Sequence, residues 1–244
     1  MDGTHIPAHV PEGQQTPYCN RKNQLSQNVL VACDFDLQFV YVLPGWEGSA
    51  ADSRIYEDAR ASDFSVPDGR YYLGDGGYAN SASLLVPYWS TRYHLKEWGQ
   101  SRHRCVPYAL SVPWLLIPSS HNSLQNYKEL FNYRHAQLRN HVERIFGLFK
   151  RRFQVLMRVL EYSLDMQARL VPALAVLHNF VHIHNPTDLL QDDNNVNNQD
   201  HPFGNPDDGP RHHAAGVRDA AAAFRDGIAL HMWQDYQNSD RRQA

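Results

Sequence analysis

Thiol chemistry has little footing in this chain of 244 residues, whose three cysteines, Cys19, Cys33 and Cys105, form an odd set without a CxxC pair. Neither a closed disulfide framework nor a thiolate zinc site follows from such spacing. The sequence also lacks any run of roughly 18 uncharged apolar residues, the length a membrane helix needs. Its opening, MDGTHIPAHVP, has neither the basic nor the apolar region of a secretory signal. A soluble intracellular protein in a reducing compartment, without a membrane partner, is the expectation. No GxSxG elbow marks a serine hydrolase, and no internal repeat marks a solenoid. What is present is ordinary for a globular domain: 42% hydrophobic and 20% charged residues exclude a wholly disordered or fibrous chain.

The formal net charge of -3 hides opposite pieces. Between 121 and 160, eight cations (Lys128, Arg134, Arg139, Arg144, Lys150, Arg151, Arg152, Arg158) stand against Glu129 and Glu143, a local balance of +6. Between 186 and 244, ten Asp face five Arg, a balance of -5. A clustered basic segment inside a mildly acidic chain suits a polyanion such as nucleic acid, because phosphates require local cations and not a high overall pI. On charge alone a solvated helix face is the commoner reading, since basic helix faces are frequent in proteins that touch no DNA.

Two β-branched and aromatic runs, NVLVACD (28–34) and FDLQFVYVLP (35–44), predict an antiparallel hairpin. The period then changes, and Ser49 or Asp52 is positioned to cap a helix whose Ile55 and Ala59 share a face. RYYL (70–73) reads as a strand that stops at Gly74, Asp75, Gly76 and Gly77, and SLLVPY (83–88) as a further strand. Leu138, Val142, Ile145 and Phe149 recur at helical spacing within a long helix from about 124 to 156, with Arg139, Glu143 and Lys150 on its flank. A second helix over about 163 to 184 carries Leu170, Leu174, Leu177 and Val181 as its apolar stripe. Residues 186–213 are rich in Asp, Asn and Gln and read as a disordered acidic linker; 214–244 reads as a C-terminal helix and tail. This order of elements implies an α/β fold.

Metal-assisted phosphodiester chemistry needs hard oxygen ligands converging from separate elements. Asp2 at the head of the first extended segment, Asp75 at a strand end and Glu143 on the basic helix are candidates. For Glu143, beside Arg139, Arg144 and Lys150, a salt bridge worth a few tenths of a kcal/mol is the competing assignment. His178 and His182 are spaced for a transition metal, but their apolar helix brings no carboxylate or thiol nearby, which favours packing. Trp46 and Tyr78 beside glycine turns fit either base stacking or the core.

DGTHIPAHVP (2–11), YCNRKNQLSQNVLVACD (18–34), GWEGSAADSRIY (45–56), YYLGDGGYANSASLLVPY (71–88), FNYRHAQLRNHVERIFGLFKRRFQVL (131–156) and LVPALAVLHNFV (170–181), taken in this order, resemble the PIF/Harbinger-type DDE transposase domain. The closing IALHMWQDY (228–236) also resembles that family's usual ending. The resemblance implies an RNase H-like mixed sheet flanked by helices over 1–185. It implies a first Asp on strand one, a second after strand four and a Glu on a later helix, positions that fall on Asp2, Asp75 and Glu143. Asp34 remains the alternative first ligand, and Asp52 a supporting acid. The implied cofactor is Mg²⁺ or Mn²⁺, the partner DNA, and the location the nucleus. Arg139, Arg144, Lys150, Arg151 and Arg152 would then contact DNA phosphates without reading sequence.

Family members carry an N-terminal helical DNA-binding region that this sequence lacks before Asp2, so a truncated domain with a frayed first strand is expected. A separate DNA-binding protein partner or a homo-oligomer is compatible with that expectation. Residues 99–124 match nothing in the family and read as an inserted, poorly packed loop or translated intron. Two function classes stand at this stage. One is a transposase-derived, metal-dependent DNA endonuclease with strand-transfer capacity; the other is an inactive transposon remnant that binds DNA or a protein partner.

Overall fold

Strand β2 (Ser26–Cys33) is the hub of the fold, because its alternate residues serve opposite cores. The computed structural model describes residues 1–91, 124–185 and 215–243. Within them β1 (Asp2–Pro7), β2 and β3 (Phe39–Glu47) make an antiparallel sheet in the order β1-β2-β3. Val29 and Val31 point to one face, where Ile6 and Phe39 meet Val142, Ile145 and Phe149 of α3 (Tyr127–Arg152) and Val171 and Ala175 of α4 (Leu164–His184). Leu30 and Ala32 point to the other, against Ile55 and Ala59 of α2 (Asp52–Ser62), with Phe64, Tyr78 and Leu84. Burial on both sides explains why NVLVA is a continuous apolar run and not an alternating one.

A second, parallel pair, β4 (Tyr72–Leu73) and β5 (Leu84–Leu85), lies beyond β1. The Met1 nitrogen donates to the Leu73 carbonyl at 2.8 Å, which sets this pair beside the start of β1. The architecture is α/β, an antiparallel three-stranded sheet with helices on both faces and a separate two-stranded parallel pair. The remaining described elements are the single turn α1 (Gln15–Tyr18), a 3-10 turn (Gln154–Met157) and α5 (Ala215–Gln243). Helix α5 docks on the segment after β5: Arg225 donates to the Val86 and Pro87 carbonyls and stacks over Tyr88, whose hydroxyl donates to Asp226 at 2.6 Å.

Several expectations are revised. Fraying of β1 is not found, since Asp2 pairs with Val31 and Met1 is buried. Neither Ser49 nor Asp52 caps α2; Ala51 holds the N-cap position without a side-chain bond, and Asp52 belongs to the first turn. On α4 the buried face carries Gln167, Val171, Ala175 and His178, while Leu177 is exposed. The difference arises because Gln167 and His178 are buried by hydrogen bonding, which an apolar count overlooks. The expected linker 186–213 and nearly all of the expected insertion 99–124 fall outside the described residues.

Side-chain amides on the helices lock the strand segments by imitating a neighbouring strand. Asn132 of α3 accepts from the Tyr88 N–H at 2.8 Å and donates to its carbonyl at 3.1 Å. Asn179 of α4 does the same for Phe39, and Gln167 for His9. Each pair satisfies backbone groups that burial would otherwise strand, at a cost of about 1–3 kcal/mol per group. Asn132→Ala is therefore expected to lower unfolding free energy by about 2–4 kcal/mol. Urea denaturation measures it, and a loss below about 0.5 kcal/mol would show that water or relaxation replaces the amide.

Candidate active site

Register and turn geometry bring two carboxylates to one cation. Asp2 sits where β1 opens opposite Val31, and its Oδ1 accepts from the Gly3 N–H at 3.1 Å. Asp75 lies in the turn after β4, and its Oδ1 accepts from the Gly77 N–H at 2.7 Å. Arg139 reaches between them from α3. Its Nη2 donates to Asp2 Oδ2 at 2.5 Å, and its Nη1 lies 3.8 Å from Asp75 Oδ2. The Arg139 side chain is 3% exposed, whereas those of Asp2 and Asp75 are 16% and 17% exposed. The guanidinium thus enters from the protein interior while the carboxylates border solvent.

A third acid is packed behind them. Asp52, at the start of α2, accepts from Asn28 Nδ2 at 2.6 Å and lies directly over Gly3, where a Cβ would fall on its carboxylate. Gly3 is thus required by the close approach of α2 to β1. Burial, and then the charge of Asp2, push the Asp52 carboxyl up to about 7. Burial and Asp2 likewise raise Asp75, with Arg139 opposing. Tyr78 is buried against α2, and its hydroxyl is pushed well above the ordinary phenol range by burial and by Asp52, Asp2 and Asp75. Tyr78 therefore belongs to the core, and Trp46 packs against the same cluster.

Glu143, one turn beyond Arg139 on α3, is half-buried. Its carboxyl is raised by burial, lowered by Arg139 and raised again by Asp2 and Asp75, so it shares their field. Among the described residues it enters no ion pair with the trio, and no three His, Cys, Asp or Glu side chains are gathered tightly enough to hold a metal together. Asp34 instead uses its carboxylate in the β2–β3 turn, accepting from the Gln38 N–H at 2.9 Å. His178 lies between the Leu37 carbonyl and Arg152, a packing role.

The expected phosphate contacts divide. Arg139 is corrected: it is buried and engaged by Asp2 and Asp75, so it is not on a surface that a DNA backbone reaches. Lys150 Nζ donates to Thr4 Oγ1 and the His5 carbonyl of β1, and burial lowers it to about 8. Arg152 pairs with His178, Arg144 is half-buried, and Arg151 is exposed beside exposed Arg158. Sequence reasoning noticed Asp52 but not its contact with Gly3; the juxtaposition of the Gly after Asp2 with the acid opening α2 was the available signal.

The fold is an α/β domain in which carboxylates from β1 and from the turn after β4 converge on one side. The chain belongs to the DDE superfamily endonuclease family, whose model matches residues 1–179. Among curated proteins and among solved structures, none matches the chain. Among the described residues no helix is long and apolar enough to cross a membrane. The donors that converge, Asp2 and Asp75, are carboxylate oxygens, the hard type a divalent cation takes, and Asp52 and Glu143 both feel their charge.

The raised Asp52 gives a pH signature. Because its carboxyl in the folded protein, at about 7, lies above its ordinary 3.8, the stability tied to its protonated form is full below about pH 4 and is lost as pH rises through about 7. Asp52→Asn keeps a neutral group there, so in chelator the variant should gain on the wild type by on the order of 2 kcal/mol between pH 5 and 8. Thermal melts across that range check it; a constant difference would mean that Asp52 ionises normally.

Proposed function

We propose that this chain is a PIF/Harbinger-type, transposase-derived DNA endonuclease of the nucleus, hydrolysing phosphodiester bonds with Mg²⁺ or Mn²⁺ held by Asp2, Asp75 and Glu143. The observation that carries the reading is the convergence of Asp2 and Asp75, 73 positions apart in sequence, on one buried guanidinium with Glu143 in the same field. Bound there, the ion would supply a hydroxide nucleophile near neutral pH and stabilise the leaving oxygen. The protein's own groups do the rest. Backbone N–H groups of Gly3 and Gly77 hold one oxygen of each Asp in place. Asp52, near its midpoint at neutral pH, limits the negative charge that an approaching phosphodiester meets.

Phosphates fall to the basic end of α3. Lys150 ties that end to Thr4 and His5, beside the strand that carries Asp2, and Arg151 and Arg158 face solvent next to it. Arg144 and Arg152 add positive charge on the same helix. A freed 3′-hydroxyl could be positioned there for strand transfer. Recognition of particular sequences would fall to a separate DNA-binding protein or to a second copy of the chain, since phosphate contacts alone carry no sequence information.

Asp75→Asn is expected to reduce Mg²⁺- or Mn²⁺-dependent nicking of supercoiled DNA by about 100-fold or more while leaving DNA affinity within about three-fold. Cleavage that survives both this change and chelation would exclude the mechanism. The rival is a DNA-binding module without chemistry, favoured by Arg139 already neutralising Asp2 and Asp75. It requires salt-dependent DNA binding with no divalent-ion requirement and no cutting. On either reading Arg151→Ala should weaken binding alike for unrelated sequences and reduce the slope of log affinity against log salt by about 1. An unchanged slope in fluorescence anisotropy would remove Arg151 from the phosphate contacts.

A further inference from the structure

We propose that Arg139 is the resident counter-cation of the carboxylate site and yields its place between Asp2 and Asp75 when a divalent ion binds. The inference rests on the reading that these carboxylates hold that ion. Its basis is how the oxygens are shared. On each Asp, Oδ1 is taken by a backbone N–H of its own turn, from Gly3 and from Gly77, and Oδ2 is turned to the guanidinium. A cation bridging the two carboxylates would meet the Oδ2 oxygens that Arg139 now faces, at hydrogen-bond distance on Asp2 and at 3.8 Å on Asp75.

A guanidinium cannot discharge itself by losing a proton, so this charge stays in place at every working pH. It enters from the buried side of the site on a long, jointed stem, whereas both carboxylates border solvent. Without it, Asp2 and Asp75 would face each other, in the field of Asp52 and Glu143, with the buried Met1 amine as the basic group beside them. Arg139 therefore keeps the metal-free domain folded and, by the same contacts, opposes metal binding. As a positioning residue it has an unusual signature: its removal weakens the fold and strengthens the metal site. A purely structural arginine would weaken both, because the carboxylates would lose their arrangement.

Calorimetric Mn²⁺ titrations of the full chain test this in the wild type, Arg139→Gln, Arg139→Lys and Glu143→Gln. Arg139→Gln should melt lower in chelator yet bind Mn²⁺ at least about ten-fold more tightly, as removal of a like charge within a few ångström requires. Arg139→Lys keeps the charge and should stay within about three-fold of the wild type. Affinity in Arg139→Gln that is unchanged or weaker, while the wild type binds saturably and Glu143→Gln binds less well, overturns the competition and leaves the metal reading standing. Absence of saturable binding in all four proteins overturns both. Should Arg139→Gln fail to fold, side-chain NMR of the wild type decides: the Arg139 Nε–H resonance should shift saturably with Mg²⁺, and a resonance unmoved at saturation overturns the proposal.

Discussion

One buried guanidinium sets the terms for the rest of the domain. Placing a charge in a protein interior costs several kcal/mol unless partners of opposite sign meet it there. Arg139 finds those partners only if the start of β1 and the turn after β4 lie side by side under α3. That requirement agrees with the Met1–Leu73 hydrogen bond that joins the antiparallel sheet to the parallel pair. It also fixes the rotation of α3, whose apolar face must meet β2 and β3 while Arg139 points to the sheet's other end. Packing and electrostatics thus constrain the same helix from two sides.

The electrostatic layout has a gradient across the site. The interior wall is acidic, with the Asp52 carboxyl raised to about 7 and the Tyr78 phenol kept neutral, both by burial and by neighbouring charge. The outer edge is basic, formed by the last turn of α3, where Lys150, Arg151 and Arg152 also favourably face the negative end of that helix. On the proposed reading, the rim would supply affinity for a polyanion and the carboxylates its chemistry.

Much of the fold was readable from periodicity. The hairpin, α2, the strand before Asp75, and the two long helices fall where the apolar spacing changes from two to near four, with boundaries displaced by a few residues. Depth was not readable in the same way. Helical spacing put Arg139 and Lys150 on a flank, an angle about the axis; it does not reveal that β1 comes up against that flank, bonding Lys150 and meeting the buried Arg139. The rotation of α4 was missed for a related reason, since Gln167 and His178 are polar by type and buried by partnership with His9 and Leu37. The amide pairs of Asn132, Gln167 and Asn179 reach across 44, 158 and 140 residues, distances over which no local pattern operates.

Those long-range amides also bear on how the chain must assemble. Strand β3 is the outer strand of the antiparallel sheet, and its Phe39 N–H and carbonyl are satisfied by Asn179 from the far end of α4. Until α4 arrives, that edge is an open template for another strand, which could belong to another molecule. Closure across 140 residues is slow relative to hairpin formation, so β2 and β3 pair well before their edge is covered. During that interval crowding favours edge-to-edge association. A low protein concentration during refolding then serves the yield of the native state more than any gain in its final stability.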